Sequence, residues 1–132
     1  MTQEQKDLLI KDLCARLPYG VKIDNMGVAC ILTSINNKYR IIVESDEVDK
    51  NSNFNLTKLD ILEIEDIKPY LFPMSSMTEE QRTEFHKHCL SDMFGILFYT
   101  EETYDWLNAN HFDYRRLIEK GLAINATGLN IY

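Results

Sequence analysis

The chain has 132 residues, with 14 Lys and Arg against 21 Asp and Glu, so its net charge is −7. This length favours a single domain, residues 1–132, that is long enough to bury a core. The acidic balance argues against bulk nucleic-acid binding, which requires a basic face, and against docking on anionic membranes. No apolar run approaches the ~20 residues of a membrane helix, and the polar start of the chain does not fit a signal peptide.

The cysteines bear on the cellular compartment. Cys14, Cys30 and Cys89 are odd in number and widely spaced, a pattern that implies no disulfide framework. Free thiols favour a reducing compartment. The cysteines therefore predict a protein of a reducing compartment.

The first segment has the pattern of an N-terminal helix. Thr2 followed by Gln5 has the form of a capping box, and the apolar residues that follow recur at helical spacing. The polar residues between them, among them Asp12 and Arg16, are expected on the opposite face. Pro18 ends the helix, because the residue before a proline is disfavoured in the α-conformation.

The middle of the chain has the pattern of strands joined by short turns. Strands are expected where β-branched and apolar residues recur, near residues 21–24, 28–35, 39–44 and 59–67. Asn36 and Asn37 are typical of a hairpin turn, and the polar stretch 45–55 is expected to form an exposed loop. With the first helix, these strands predict a small antiparallel, barrel-like sheet within residues 1–68.

Residues 69–77 contain two prolines and are predicted to be a linker to a helical C-terminal part, residues 78–132. The apolar side chains of Tyr70, Leu71 and Phe72 are expected to dock this linker on a core. Thr78 and its neighbours form a second capping-box pattern, and another helix is expected to start near Thr100. Asp113 is expected to cap a third short helix that ends at Gly121, followed by a closing strand at 122–126. The predicted fold class is α+β.

Residues 104–116 contain four aromatic residues, one histidine and two adjacent arginines. Aromatic rings give rigid contact area, and arginine binds carboxylate or phosphate with two hydrogen bonds. This combination predicts a pocket for a small anionic, nucleotide-like ligand or a hot spot for a protein. The candidate ligand-binding residues are Tyr19, Trp106, His111, Tyr114, Arg115 and Arg116. In the structural alternative, the aromatic residues pack a core and the two arginines pair with Glu101, Glu102 or Glu119 on the surface.

Patterns typical of catalysis are sparse. Cys89 is the candidate nucleophile, and it would need a histidine as its base; a small hydrolase built on that pair is an alternative function. The spacing of Glu84, His86 and His88 around this cysteine matches no usual zinc-ligand pattern, and no phosphate-binding glycine loop occurs. We therefore expect neither a metal nor a cofactor.

Three blocks of the chain resemble a known family. They are DLCARLPYGVK at 12–22, YLFPMSSMTEE at 70–80, and the motifs DWLN, HFDY and LIEKGLAI within 105–124. The sequence is similar there to small, functionally uncharacterised proteins encoded by phages and mobile elements of gut Bacteroidales-type bacteria. The resemblance implies an accessory protein in the bacterial host cytoplasm and carries over no catalytic residue. Small phage proteins of this sort often counter host defences by binding a host protein or sequestering a signalling nucleotide.

Taken together, the sequence predicts a non-enzymatic accessory binding protein, with a small anionic ligand or a host protein as its partner. A homo-oligomer fits this interpretation, because small chains often build a ligand site at a two-fold interface. A structural or assembly protein is a further alternative. An exposed apolar patch would favour a protein partner, whereas a local positive pocket would favour a nucleotide.

Overall fold

The computed structural model describes residues 1–36, 39–48 and 55–132, with the side chains of 46–48 and 55–58 not described. The helices in these ranges are α1 (Gln3–Arg16), α2 (Glu79–His88) and α3 (Glu101–Ala109). Each begins with a capping box, in which a threonine hydroxyl accepts a backbone N–H one turn into the helix. The predicted helix starts at Thr2, Thr78 and Thr100 are confirmed.

The strands of the same ranges form one large sheet and one small hairpin. The sheet has the strand order β4-β3-β2-β1-β5-β8, with β9 also paired to β5, and β6 pairs with β7. The fold is therefore α+β, as predicted. The strands are β1 (Lys22–Asn25), β2 (Val28–Ile35), β3 (Arg40–Val48), β4 (Asn55–Glu63), β5 (Lys68–Pro73), β6 (Leu90–Ser91), β7 (Leu97–Phe98), β8 (Phe112–Asp113) and β9 (Ile124–Asn125).

The antiparallel pairing predicted for the strands within residues 1–68 is confirmed, but the sheet as a whole is open and mixed rather than barrel-like. Strands β1 to β4 are antiparallel neighbours, but β5 runs parallel to β8 and to β9. Among the described residues β4 pairs only with β3, so the strand order does not close. A barrel would need β4 to pair with the far end of that order, where β8 has only two residues.

The predicted linker at 69–77 is instead a strand followed by a 3₁₀ turn (Met74–Ser76). β5 lies beside β1, with Pro69 opposite Ile23, and Leu71 is fully buried. Its two prolines occupy the second and last residues of the strand, and strand ends tolerate a missing N–H. The expected docking of the apolar residues between the prolines is confirmed for Tyr70 and Leu71, which are buried.

The predicted polar loop at 45–55 is shorter than expected, because strand pairing extends into both of its ends. β3 continues through Val48 and β4 begins at Asn55, and these two residues face each other in the ladder. Residues 49–54 of the predicted loop, and Asn37 of the predicted hairpin turn, lie outside the described residues.

The predicted third helix is a single capped turn. The carboxylate of Asp113 accepts the backbone N–H groups of Leu117 and Ile118 at 2.9 Å each. The N–H of Gly121 bonds to the Ile118 carbonyl and that of Leu122 to the Leu117 carbonyl, the two bonds of a Schellman motif. Gly121 has a φ of +73°, which suits glycine at this cap. Both caps are correctly predicted, but they lie too close together to enclose a helix.

Two apolar clusters make up the core. The larger one lies between α1 and the inner face of the sheet and includes Leu9, Leu13, Ile23 and Leu32. The smaller one joins α2, α3 and β8 through Met77, Phe85, Leu107 and Phe112. None of the helices in the part of the chain that the structure describes is both long and apolar enough to cross a bilayer.

Candidate functional site

A buried charge network joins α1 to the predicted site segment. The Asp12 carboxylate accepts hydrogen bonds of 2.8 Å from Nε of Arg16 and from Nη1 of Arg115. Asp12 and Arg16 are fully buried, which corrects the expectation that they lie opposite the apolar face. Nη2 of Arg16 also donates to the carbonyl of Phe112 at 2.7 Å. These partners offset part of the cost of burying the charges, while Nη1 of Arg16 is buried without a hydrogen-bond partner among the described residues.

Tyr114 extends this network. Its hydroxyl donates to Oδ1 of Asn108 and accepts from Nη1 of Arg115, each at 2.8 Å. The guanidinium carbons of Arg115 and Arg16 lie 4.6 and 5.2 Å from the centre of the Tyr114 ring, within the range of cation–π attraction. The predicted pairing of Arg115 with a surface glutamate is wrong, because Asp12 takes that role.

Trp106 belongs to the packing between α2, α3 and β8. Its ring is stacked on Phe112, with centroids 5.6 Å apart and planes at 14°, and it lies near the rings of Phe85 and His88. Tyr19 is half-buried in the 3₁₀ turn after α1, and no ring contact joins it to Trp106 within the described residues. The predicted site residues are therefore not one cluster.

His111 is held against the C-terminal end of the described chain. Its ring is stacked on Tyr132 with centroids 3.7 Å apart, and its backbone lies in the left-handed region at φ +62°. Burial, together with the nearby charges of Arg16 and Lys22, lowers the pKa of this imidazole to about 4. His111 is thus neutral at pH 7 and suits packing better than binding an anion.

Two of the predicted residues, Tyr114 and Arg116, meet at a cleft of about 450 Å³. The cleft lies between the end of β5 and the capped turn after β8. Its charged residues are Arg116, Asp113 and Glu119, and its apolar wall includes Tyr99, Met74 and Ile118. With two carboxylates against one guanidinium, it is not the positive pocket that a nucleotide would favour.

The geometry around Cys89 does not resemble a nucleophilic pair. Its thiol donates to the Phe85 carbonyl at 3.4 Å and accepts weakly from the Thr103 hydroxyl at 3.9 Å. No hydrogen bond joins this thiol to a histidine in the part of the chain that the structure describes. Across the same residues, no group of three or more His, Cys, Asp and Glu is placed to hold a metal ion.

The most distinctive surface is one that the sequence analysis did not single out. Residues 90–99, which we call the apolar hairpin, consist of β6, the turn 92–96, β7 and Tyr99. Its apolar and aromatic side chains are between 41% and 91% exposed: Leu90, Met93, Phe94, Ile96, Leu97, Phe98 and Tyr99. An apolar patch of this kind on a folded chain is typical of an interaction site.

The turn of the apolar hairpin is held by its own hydrogen bonds. Oδ1 of Asp92 accepts the backbone N–H groups of Phe94 and Ile96 at 2.9 Å each. The backbone of Asp92 also bonds to Ile96 and to Gly95, and Gly95 adopts φ +79°, which suits a residue without a Cβ. The exposed side chains are therefore presented by an ordered turn.

The base of the apolar hairpin is fixed to the smaller core cluster. The hydroxyls of Thr100 and Thr103 donate to the carbonyl of His88 at 2.8 and 2.7 Å. The ring of Tyr99 meets Phe85 edge-on, with centroids 5.4 Å apart. The two ends of the hairpin are thus tied to α2 and α3.

A sequence signal for this surface exists. Residues 93–99 read MFGILFY, six apolar or aromatic residues interrupted by one glycine. A run of this kind without helical or alternating periodicity is expected to be buried or to serve binding. Sequence alone does not distinguish a buried run from an exposed binding surface, because burial is inferred from periodicity and this run has no periodicity.

Comparisons of the chain with protein-family models, with curated proteins and with solved structures found no match.

Proposed function

We propose that this chain is a non-enzymatic binding protein, that its partner is another protein, and that the apolar hairpin is the contact surface. The observation that carries the proposal is the exposure of the tip, where Met93 is 91% and Phe94 is 81% exposed. Burial of such side chains contributes about 1.5–3 kcal/mol each, so leaving them in water is unfavourable unless another molecule covers them.

The composition and order of the apolar hairpin also support binding to a protein. Met and aromatic side chains are enriched in interface cores, where a few buried anchors supply most of the binding energy. The hydrogen bonds of Asp92 order the turn before binding, which reduces the entropy lost when a partner docks. Phe94 and Leu97 are the anchors that we propose.

The charge around the apolar hairpin indicates the kind of partner. Residues 79–119, from α2 to the capped turn, contain nine acidic and four basic residues. Exposed carboxylates at Glu101, Glu102 and Asp105 follow the hairpin directly in α3. Charge complementarity therefore favours a partner with an apolar groove and Lys or Arg at its rim.

We further propose a host protein of the bacterial cytoplasm as the target, in a phage-type counter-defence or accessory role. Support for this part comes from the sequence resemblance alone. The nucleotide-sequestering alternative has less support, because the cleft near Arg116 also contains Asp113 and Glu119. The hydrolase alternative has less support, because the thiol of Cys89 donates to a backbone carbonyl.

The test is capture of a partner from a Bacteroidales lysate, followed by reconstitution with the purified partner. The variants are Phe94→Ser and Leu97→Ser in the apolar hairpin. Met26→Ser is the matched control, because Met26 is 97% exposed in the β1–β2 turn, on another part of the molecule. Light scattering of each purified variant reports its oligomeric state.

We expect one protein to be retained by the wild type and by Met26→Ser and lost with both hairpin variants. The purified pair should form a 1:1 complex whose association slows as salt is added. Retention that is equal for all variants would contradict the proposal. A wild-type oligomer that the hairpin variants convert to monomer would support the assembly alternative instead.

A further inference from the structure

We propose that the cleft beside Tyr99 is a separate site that binds a zwitterionic α-amino acid, with its carboxylate on Arg116 and its ammonium on Glu119. This goes beyond the proposed protein binding, although Tyr99 belongs to both surfaces. The cleft, of about 450 Å³, lies within the size range of small-molecule sites. It offers one unpaired charge of each sign and an apolar wall.

Arg116 supplies the positive charge. Its guanidinium makes no hydrogen bond and no ion pair with any described residue, whereas Arg16 and Arg115 are bound to Asp12. Arg116 also has a φ of +59°, a left-handed conformation that is strained for an arginine. Strain of this kind at a cleft is a feature of functional positions. Asparagine would tolerate this backbone conformation better, so an arginine at this position indicates a role for its guanidinium.

Glu119 supplies the negative charge from the same turn. The N–H of Lys120 bonds to the Arg116 carbonyl, so residues 116–120 form one hydrogen-bonded turn. Arg116 and Glu119 both line the cleft but do not form an ion pair with each other. The two ends of an amino acid can therefore bind them separately.

Two other polar residues of the cleft, Asp113 and Tyr114, are engaged within the fold, whereas Ser75 is exposed. Asp113 holds the N–H groups of Leu117 and Ile118, and the Tyr114 hydroxyl is bonded to Asn108 and Arg115. The apolar part of a ligand would meet instead the wall formed by Met74, Tyr99 and Ile118. This wall favours an amino acid with an apolar side chain, such as leucine, methionine or phenylalanine.

The test is titration of the isotope-labelled full chain with L-leucine, L-methionine and L-phenylalanine, followed by amide chemical shifts. N-acetyl-leucine, which lacks the ammonium, and leucinamide, which lacks the carboxylate, are the matched probes. We expect shifts confined to the cleft amides, among them Ser75, Tyr99 and Ile118, with a Kd on the order of 1 mM. Each matched probe should bind at least about tenfold more weakly.

Variants separate this site from the protein-binding surface. Arg116→Asn and Glu119→Gln should abolish the shifts, and Arg116→Asn should keep or raise the Tm because asparagine tolerates the left-handed backbone. Arg82→Gln and Glu84→Gln, exposed on α2, are the charge-matched controls and should bind normally. Phe94→Ser should also bind normally, so failure of either proposal leaves the other testable.

Several outcomes would overturn the proposal. The first is no response of the cleft amides to any of the three amino acids up to about 20 mM, well above the expected Kd. Acetate or inorganic phosphate could produce the same shifts with equal affinity, which would define an anion site on Arg116 alone. Equal binding of leucinamide and leucine would define a cation site on Glu119.

Discussion

The carboxylate of Asp12 accepts a hydrogen bond of 2.8 Å from the guanidinium of Arg115, a residue 103 positions further along the chain. Its other oxygen binds Arg16 at 2.8 Å, and Arg16 continues to the Phe112 carbonyl. The network thus joins α1 to β8 and to the turn that carries Arg116. The ends of the chain are held together by buried charge as well as by apolar packing.

Asp12→Asn should destabilise the fold strongly. The substitution leaves Arg16 fully buried and Arg115 mostly buried without the carboxylate between them. Breaking a buried ion pair costs about 3–5 kcal/mol, which urea denaturation will measure. Asp105→Asn, at an exposed position of α3, should change the free energy of unfolding by less than about 0.5 kcal/mol. Equal effects of the two substitutions would show that the network contributes little.

Local signals in the sequence account for the features that were predicted correctly. The capping box at Thr2, the capping box at Thr78 and the glycine cap at Gly121 each depend on residues within one turn. The burial of Asp12 and Arg16 could not be predicted in this way. Their partners, Arg115 and the carbonyl of Phe112, come from the other end of the chain.

The sequence did not predict that β5 is a strand or that the apolar hairpin is exposed, because no local signal decides either feature. The prolines at 69 and 73 suggested a linker, but the pairing of β5 with β1, β8 and β9 outweighs that local signal. The structure distributes the candidate site residues over different surroundings. Tyr114 and Arg116 line one cleft, whereas Trp106 and His111 are engaged in ring stacking. An exposed apolar run such as 93–99 has no periodicity that identifies it as surface.

The lowered pKa of His111 predicts that the folded protein loses stability in mild acid. Burial, with Arg16 and Lys22 nearby, lowers its pKa from 6.5 to about 4. Between these two pH values the imidazole binds a proton in the unfolded chain but stays neutral in the folded chain. The contribution of His111 to the free energy of unfolding is therefore complete above about pH 6.5 and is lost towards pH 4. The shift corresponds to at most about 3 kcal/mol, and partial exposure of the ring reduces this to roughly 1–2 kcal/mol.

Urea midpoints between pH 4 and 8 will test this dependence. His111→Asn should flatten the profile, because asparagine removes the imidazole and tolerates the left-handed backbone of this position. His86→Asn, at an exposed position of α2, should retain the wild-type profile. A wild-type slope that survives His111→Asn would assign the pH dependence to other groups.

Tyr132→Phe should destabilise the end of the sheet. The phenol donates to the Tyr70 carbonyl and accepts the N–H of Lys22, each at 2.8 Å, and burial raises its pKa to about 12. Removing the hydroxyl leaves both backbone groups without this partner and costs about 1–3 kcal/mol. Tyr104→Phe is the matched control, because the two residues are equally exposed at 42% and the Tyr104 hydroxyl makes no hydrogen bond with a described residue; it should cost less than about 0.5 kcal/mol. A similar loss for both variants by denaturation would show that the two hydrogen bonds contribute little.

Asp92→Ala should loosen the apolar hairpin without unfolding the protein. The change removes the acceptor for the N–H groups of Phe94 and Ile96, while the ties of Thr100 and Thr103 to His88 remain. Amide exchange of residues 93–97 should accelerate about tenfold, with the free energy of unfolding changed by less than about 1 kcal/mol. Asp92→Asn retains the accepting oxygen and should preserve the slow exchange.

Partner binding should weaken with Asp92→Ala even though every exposed apolar side chain is still present, because a disordered turn loses more entropy on docking. If Asp92→Ala binds as tightly as the wild type, the order of the turn does not contribute to affinity, and only its apolar surface does.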